Sequence, residues 1–258
     1  MKRLHIVGCP RSGTTLMMEL MRTCFNNNGC CEHEESLFHE PPGHPELYFS
    51  KQPTDIRYLH RVFLRDPNLF VLNMLRDPRD VVSSRHQSKP GLYFCNLRVW
   101  LDCYRNAKRL EGHARFWTVR YESLTTNPDA VQQDIVRRFP FLAQTNRFSE
   151  YHRHAQPSSD SQNAMSGLRP INANRQRNWE NHLPRIKAQL QRYPELPDLL
   201  MESGYEQDRA WTQLLSNVLP QEFPCRYPES QFFLKTLETR FRKYLQSSAY
   251  LARHHVSC

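Results

Sequence analysis

The sequence predicts an α/β fold: a parallel sheet flanked by helices, with a helical extension at the C-terminus. Two observations carry this. Short apolar runs at 4–7, 47–49, 69–75 and 116–119 alternate with segments of helical spacing. In addition, the first run ends at a glycine-bearing turn that opens directly into the first helical segment. Such βα alternation gives a parallel sheet covered by helices, with ligands at the carboxyl ends of the strands.

The elements follow in order. Leu4 to Val7 form the first strand. Leu16, Met17, Leu20, Met21 and Cys24 recur at helical spacing behind it. Leu47 to Phe49 form a second short strand, and Ile56, Leu59, Val62 and Phe63 mark the next helical face. Leu69 to Leu75 form a strongly apolar run, as in a strand buried on both faces. Pro78 opens the following helix, with Asp77 placed to cap it. Leu97, Trp100, Leu101, Tyr104, Ala107 and Leu110 form one stripe of a longer helix. Phe116 to Val119 make a fourth strand, and Val131, Ile135 and Val136 belong to the helix after it. Residues 150–178, including SSDSQN at 158–163, read as a polar loop or lid, and a further helix runs from Pro184 to Arg192. Beyond Tyr205, the positions Phe233, Leu234, Leu237, Phe241, Tyr244 and Leu245 give an amphipathic helix. The division expected is a main domain at 1–205 and an extension at 206–258, packed on it or binding a partner.

The chain has 258 residues, 39% of them hydrophobic, which suits one α/β domain plus an extension. A net charge of +9 points to an anionic ligand or partner. The arginines are dispersed, and neither a basic block nor stacking aromatics among basic residues marks a nucleic-acid surface. No run of 18 apolar residues occurs, and MKRLHIVGCP is too short and polar for a signal peptide, so no stable membrane insertion is expected. The eight cysteines are irregularly spaced without C-x-x-C, which reads as reduced thiols in a cytoplasmic protein.

Gly8-Cys-Pro-Arg-Ser-Gly13-Thr14-Thr15 stands where a phosphate-binding loop belongs, between the first strand and the first helix. Gly8 and Gly13 have the spacing of a P-loop, but Thr14 replaces its lysine. Without that lysine the loop suits a single 5′-phosphate better than a β/γ-phosphate with Mg²⁺. Arg76-Asp-Pro-Arg-Asp-Val-Val-Ser-Ser84 follows the third strand. An arginine fork plus the hydroxyl of Ser84, about two turns along the helix, can grip a second phosphate. Two such sites on one sheet edge fit a nucleotide phosphorylated on its 3′ and 5′ sides.

Together these motifs resemble those of the sulfotransferases that use 3′-phosphoadenosine 5′-phosphosulfate (PAPS). GCPRSGTTL is similar to that family's 5′-phosphosulfate loop, and LRDPRDVVSS to its 3′-phosphate motif. Val119-Arg-Tyr121-Glu-Ser-Leu124, followed by Asn127-Pro128, looks like the family's VRYE-x-L segment, and Lys51 in FSKQP looks like its K-x-P lysine. The nearest sub-pattern is that of the tyrosylprotein sulfotransferases, through Glu34-Glu35 and Arg169-Pro-Ile-Asn172 with Trp179. The resemblance covers roughly residues 4–180. It implies a PAPS-dependent enzyme in which Arg11, Ser12, Gly13, Thr14 and Thr15 hold the 5′-phosphosulfate. Arg76 and Ser84 would hold the 3′-phosphate, Tyr121 would contact the nucleotide, and Lys51 would touch the sulfuryl oxygens.

Sulfuryl transfer needs in-line geometry, a stabilised leaving charge and an activated hydroxyl; no metal is compulsory. Lys51, Arg11 and the loop N–H groups supply positive charge. The general base is sought in CCEHEESLFHE at 30–40: Glu34 by the resemblance, with His33 as runner-up. Glu35 reads equally as the partner of an arginine. His33, His39 and His44 lack the spacing of a metal site. The acceptor is a small molecule, a glycan or a peptide. The competing readings are a P-loop kinase, which needs the lysine absent at Thr14, and a protein that binds nucleotide without catalysis.

Overall fold

The computed structural model describes residues 1–89, 91–227, 229–230 and 233–254, apart from the side chains of 233–236. In chain order its elements are β1 (Lys2–Gly8), α1 (Thr14–Cys24), β2 (Gly29–Cys30), β3 (Leu47–Lys51), α2 (His60–Arg65), β4 (Leu69–Leu75), α3 (Pro78–Val82) and α4 (Leu97–Lys108). They continue with β5 (Phe116–Arg120), α5 (Tyr121–Thr126), α6 (Pro128–Arg138), α7 (Ser159–Met165), α8 (Leu183–Arg192), α9 (Leu196–Glu202) and α10 (Phe233–Arg253). The chain divides into two units: Met1–Leu75, Asp102–Ala173 and Ser230–Cys258 in the first, and Arg76–Leu101 and Asn174–Glu229 in the second.

The first unit holds a five-stranded sheet in the order β2-β3-β1-β4-β5, parallel throughout. The predicted α/β class and the parallel sheet are therefore present. β1 lies between β3 and β4, so the chain leaves it towards one side and later returns to the other. The crevice at the carboxyl end of such a central strand is where doubly wound sheets bind ligands. The register places Lys51 opposite Ile6 and Met74 opposite Gly8.

β1 extends beyond its apolar run to Lys2, with Arg3 buried in the extension, and His5 is buried within the run. Arg3 donates to Ser50 Oγ at 2.8 Å, to the carbonyl of Leu37 at 2.7 Å and to Glu35 Oε1 at 3.0 Å. His5 Nδ1 lies 2.8 Å from Ser50 Oγ, and burial pushes its pKa down. Leu4, Ile6 and Leu72 from the sheet meet Met17, Leu20 and Met21 of α1 and Ile135 of α6 in the main core.

Several elements depart from their sequence-based expectation. The 53–65 stretch is a 3₁₀ turn at Pro53–Arg57 followed by α2. Within 150–178, expected as loop, 159–165 is helical: Ser158 Oγ accepts from the N–H of Ser161, and Ser161 and Met165 are buried. Ser84 lies outside α3, which ends at Val82. The chain leaves the helix there because the Ser84 carbonyl accepts from the N–H of Phe94 at 2.9 Å. The Asp77 cap is present: its carboxylate accepts from the N–H of Arg79 at 2.8 Å.

α10 belongs to the first unit and packs against α2. The expected apolar stripe is not the packed face: Leu237, Phe241, Tyr244 and Leu245 are exposed. Packing is by Ser247, Tyr250 and Leu251, with Tyr250 Oη donating to Asp66 Oδ2 at 2.6 Å and Arg61 donating to Ser247 and Ser248. The stripe positions Phe233 and Leu234 lie outside the described side chains.

The second unit has its own core of Val82, Leu97, Trp179, Ile186, Leu196, Leu200, Trp211 and Leu215. Arg185 is buried there, donating to the carbonyls of Val82 at 2.6 Å and Cys95 at 2.8 Å.

Candidate active site

The loop after β1 is shaped by close approach at both of its glycines. Gly8 has φ 149°, and a Cβ there would stand 2.5 Å from the carbonyl oxygen of Met74. Gly13 has φ 98°, and a Cβ there would stand 2.6 Å from Cδ2 of Tyr121. Both positions therefore require glycine on steric as well as dihedral grounds. Between them the chain turns tightly: Ser12 N–H donates to the carbonyl of Cys9 at 3.0 Å, and Arg11 has a left-handed φ of 75°.

Gly13 is the N-cap of α1, so no side chain caps the first turn. The N–H groups of a helix's first turn have no partner within the helix and carry its positive dipole end. Ser12 Oγ is buried without a hydrogen-bond partner in the structure. Thr14 is buried and Thr15 half-buried beside it. Backbone donors, three hydroxyls and the space left by two glycines suit an oxyanion such as phosphate or sulfate. Tyr121, the first residue of α5, supports this turn with its ring against Gly13.

Lys51 closes β3 and is fully buried. Its Nζ donates to Thr15 Oγ1 at 3.0 Å and to Glu34 Oε1 at 3.1 Å. Burial pushes the ammonium pKa down, and the Glu34 carboxylate acts against that shift. The Glu34 side chain is 41% exposed, so it joins the buried cation to solvent.

The neighbouring carboxylate is used differently. Glu35 accepts from Arg3 at 3.0 Å and from Tyr48 Oη at 3.1 Å, while its own N–H donates to the carbonyl of Lys51 at 2.9 Å. Of the Glu34–Glu35 pair, one member faces the lysine and the other anchors the loop. His33 Nδ1 lies 3.1 Å from Ser161 Oγ, and burial, then Lys51, lowers its pKa and favours the neutral ring.

Two residues not singled out in the sequence adjoin this cluster. Glu19 of α1 is fully buried, and Arg22 Nη1 is 3.5 Å from its Oε2. Arg22 Nη2 donates to the carbonyls of Cys31 and Glu32 at 2.5 and 2.7 Å. An acid and a base three apart on a helix normally signal an exposed pair, so the burial of Glu19 was hidden.

Within the second unit, Arg76 is mostly buried; its Nη2 donates to the carbonyl of Arg175 at 2.6 Å and is 3.7 Å from Asp80 Oδ2. Burial raises the Asp80 pKa, while Arg76 and the N–H groups of Trp179 and Arg177 lower it. Asp77 pairs with Arg79 at 2.7 Å. Ser84 is half-buried. Trp179 is a core residue, with Arg79 stacked over its ring at 4.3 Å. Arg169, in the first unit, donates to the carbonyl of Ser166 at 2.7 Å.

Among the described residues no group of three or more His, Cys, Asp or Glu side chains is arranged to hold a metal ion. Nor is any described helix long and apolar enough to cross a membrane. Cys9, Cys24, Cys30, Cys31, Cys95, Cys103 and Cys225 are all free thiols.

The family profile of the sulfotransferase domain matches residues 2–195. No curated protein matches the chain. Among solved structures it is similar to the sulfotransferase domain of the olefin synthase of Synechococcus PCC 7002, at 16% identity over 69% of this chain and 87% of that one, TM-score 0.48. It is also similar to the sulfotransferase domain of the curacin biosynthetic pathway, at 16% identity over 70% and 97%, TM-score 0.39. A sulfotransferase from Mycobacterium tuberculosis H37Rv aligns at 12% identity over 64% and 70%, TM-score 0.36.

Proposed function

Since the chain belongs to the sulfotransferase-domain family, we propose that it transfers the sulfuryl group of PAPS to an acceptor hydroxyl by metal-independent in-line displacement. The observation that carries this reading is Lys51: a fully buried ammonium at the end of β3, hydrogen-bonded both to Thr15 of the phosphate loop and to the carboxylate of Glu34. Positive charge, anion loop and candidate base thus share one hydrogen-bonded group.

PAPS supplies the activated sulfuryl group and a bisphosphate leaving group. The protein's part is to hold and neutralise it. The first-turn N–H groups of α1 with Arg11, Ser12, Gly13, Thr14 and Thr15 take the 5′-phosphosulfate, and Tyr121 keeps that turn in place. Arg76 and Ser84 are assigned the 3′-phosphate. Lys51 neutralises charge on the sulfuryl and leaving oxygens, where a preorganised donor acts most strongly. Glu34, exposed enough to meet an acceptor, takes the hydroxyl proton. His33, neutral through burial, is the second candidate for that proton.

The sub-pattern we follow is the tyrosylprotein-like one, read from the Glu34-Glu35 pair and from Arg169-Pro-Ile-Asn172 with Trp179. That makes a phenolic hydroxyl the first acceptor to try, in a tyrosine peptide or a small phenol. The free thiols of the seven described cysteines are compatible with a reducing, cytoplasmic setting.

The test is thermal unfolding with 3′-phosphoadenosine 5′-phosphate in EDTA, followed by transfer of radiolabelled sulfate from PAPS to a panel of phenols, sugars and peptides. At a hundredfold excess over Kd the nucleotide should stabilise the protein by about 2.7 kcal/mol. Stabilisation only by ATP with Mg²⁺ would replace this reading with a kinase. Nucleotide binding with no transfer to any acceptor class would reduce it to a binding protein.

A further inference from the structure

The acidic loop that carries Glu34 is tied to β3 at two points. Cys31 N–H donates to the carbonyl of Phe49 at 2.9 Å, and Glu35 N–H to the carbonyl of Lys51 at 2.9 Å. Between these points the backbone turns outward, and two of its carbonyls, those of Cys31 and Glu32, accept from one nitrogen, Arg22 Nη2. Arg22 comes from α1, whose N-terminus is the phosphate loop.

Arg22 in turn is paired with Glu19, one helical turn before it. Glu19 is fully buried, neither carboxylate oxygen has a hydrogen-bond partner, and the Arg22 guanidinium at 3.5 Å is its ion-pair partner. A buried carboxylate with no hydrogen bonds is expensive to keep. At this helix position alanine would be the better helix former. Glu19 also lies one turn along from Thr15, on the same face of α1. Thr15 receives the Lys51 ammonium.

We propose that Glu19 and Arg22 are positioning residues: Glu19 orients the Arg22 guanidinium, and Arg22 clamps the 31–32 carbonyls so that Glu34 stays against Lys51. The proposal rests on the sulfotransferase reading of Lys51 and Glu34. It gives α1 two tasks. Its first turn holds the donor anion, and its second and third turns set the distance between the cation and the base. Neither Glu19 nor Arg22 touches the reacting atoms; both act through Glu34.

The test is a double-mutant cycle in kcat, joined to a second readout that does not need turnover. Arg22→Ala would strand the buried Glu19 carboxylate and risks unfolding, so the informative variant is Arg22→Lys. It keeps a charge beside Glu19 but loses the fork that reaches two carbonyls. Its kcat should fall roughly ten- to a hundredfold, as expected for misplaced catalytic groups, with the nucleotide KM nearly unchanged. In a Glu34→Gln background the same change should cost less than about twofold, because the two residues act in series. Glu19→Gln should lower kcat in the same direction while thermal stability holds.

Independently of activity, Lys51 Nζ followed by ¹⁵N NMR should titrate at lower pH in Arg22→Lys than in the wild type, in the direction produced by Glu34→Gln. An unmoved Lys51 titration, or equal kcat losses in both backgrounds, overturns the clamp. A wild type inert with PAPS in which Arg22→Lys still moves Lys51 overturns the sulfotransferase reading and upholds the clamp as geometry.

Discussion

Lys51 and Glu34 meet at 3.1 Å across a solvent boundary: the ammonium is fully buried, and the carboxylate side chain is 41% exposed. Burial drives the lysine pKa down and Glu34 pulls it back up. In the role proposed for Lys51 its charged form is the working form, up to a pKa below that of a free lysine. It is lost as pH rises through that value, so kcat should show a basic limb below the ordinary lysine range. Glu34→Gln removes the opposing influence, and the limb should move to lower pH. A pH–rate profile of both proteins decides this; a limb that stays put separates Lys51 from the rate.

Lys51→Met keeps the bulk of the side chain and deletes its charge. Removing a preorganised donor at developing negative charge costs on the order of 10²–10³ in kcat. Binding of 3′-phosphoadenosine 5′-phosphate, which lacks the sulfuryl group, should change far less. Isothermal titration alongside steady-state kinetics measures both, and equal losses in the two would make Lys51 a nucleotide-binding group rather than a catalytic one.

The two adjacent glutamates should give opposite phenotypes. Glu35→Gln weakens a pair in which Arg3 is 1% exposed, and breaking buried pairs costs about 3–5 kcal/mol. It should lower the melting temperature while per-molecule turnover is largely kept. Glu34→Gln should chiefly lower kcat, since the amide oxygen can still accept from Lys51 and the side chain is 41% exposed. Melting curves and kcat for both variants test the contrast, and a common phenotype would erase the distinction between base and anchor.

Gly13→Ala places a methyl group 2.6 Å from Tyr121 Cδ2 at a left-handed backbone position. The dihedral strain alone is worth about 1–3 kcal/mol, and the clash adds to it. Nucleotide affinity should drop with stability. If the ring contact contributes, Gly13→Ala should be milder in a Tyr121→Ala background. An equal cost in both backgrounds would leave the backbone dihedral as the whole effect.

Much of this architecture was legible because its signals were local. The apolar runs fixed β4 and the body of β1, and the Gly8–Gly13 spacing marked the tight turn between β1 and α1. What stayed hidden depended on polar residues being buried. Nothing in the sequence singles out Arg3 or His5; their burial is explained only by their partners on β3 and the acidic loop. The helix at 159–165 is polar and short, and only the buried Ser161 and Met165 reveal its inner face. Ser84 left its helix because of a backbone bond to Phe94, which no sequence period announces. Glu34 and Glu35 are indistinguishable in sequence; Arg3 separates them in space.

α10 has a bearing on any shortening of the chain. Lys243 is 3.5 Å from Asp55, whose carboxylate also accepts from the N–H of Leu37 and from Ser36 Oγ. Arg253 donates to the carbonyl of Phe38 and pairs with Glu40. The C-terminal helix thus braces the segment immediately after Glu34 and Glu35, although the family match stops at residue 195. A polypeptide cut at that boundary would keep every residue assigned to sulfuryl transfer and lose the strut behind its acidic loop, so a faint activity from such a fragment would describe the truncation rather than the enzyme.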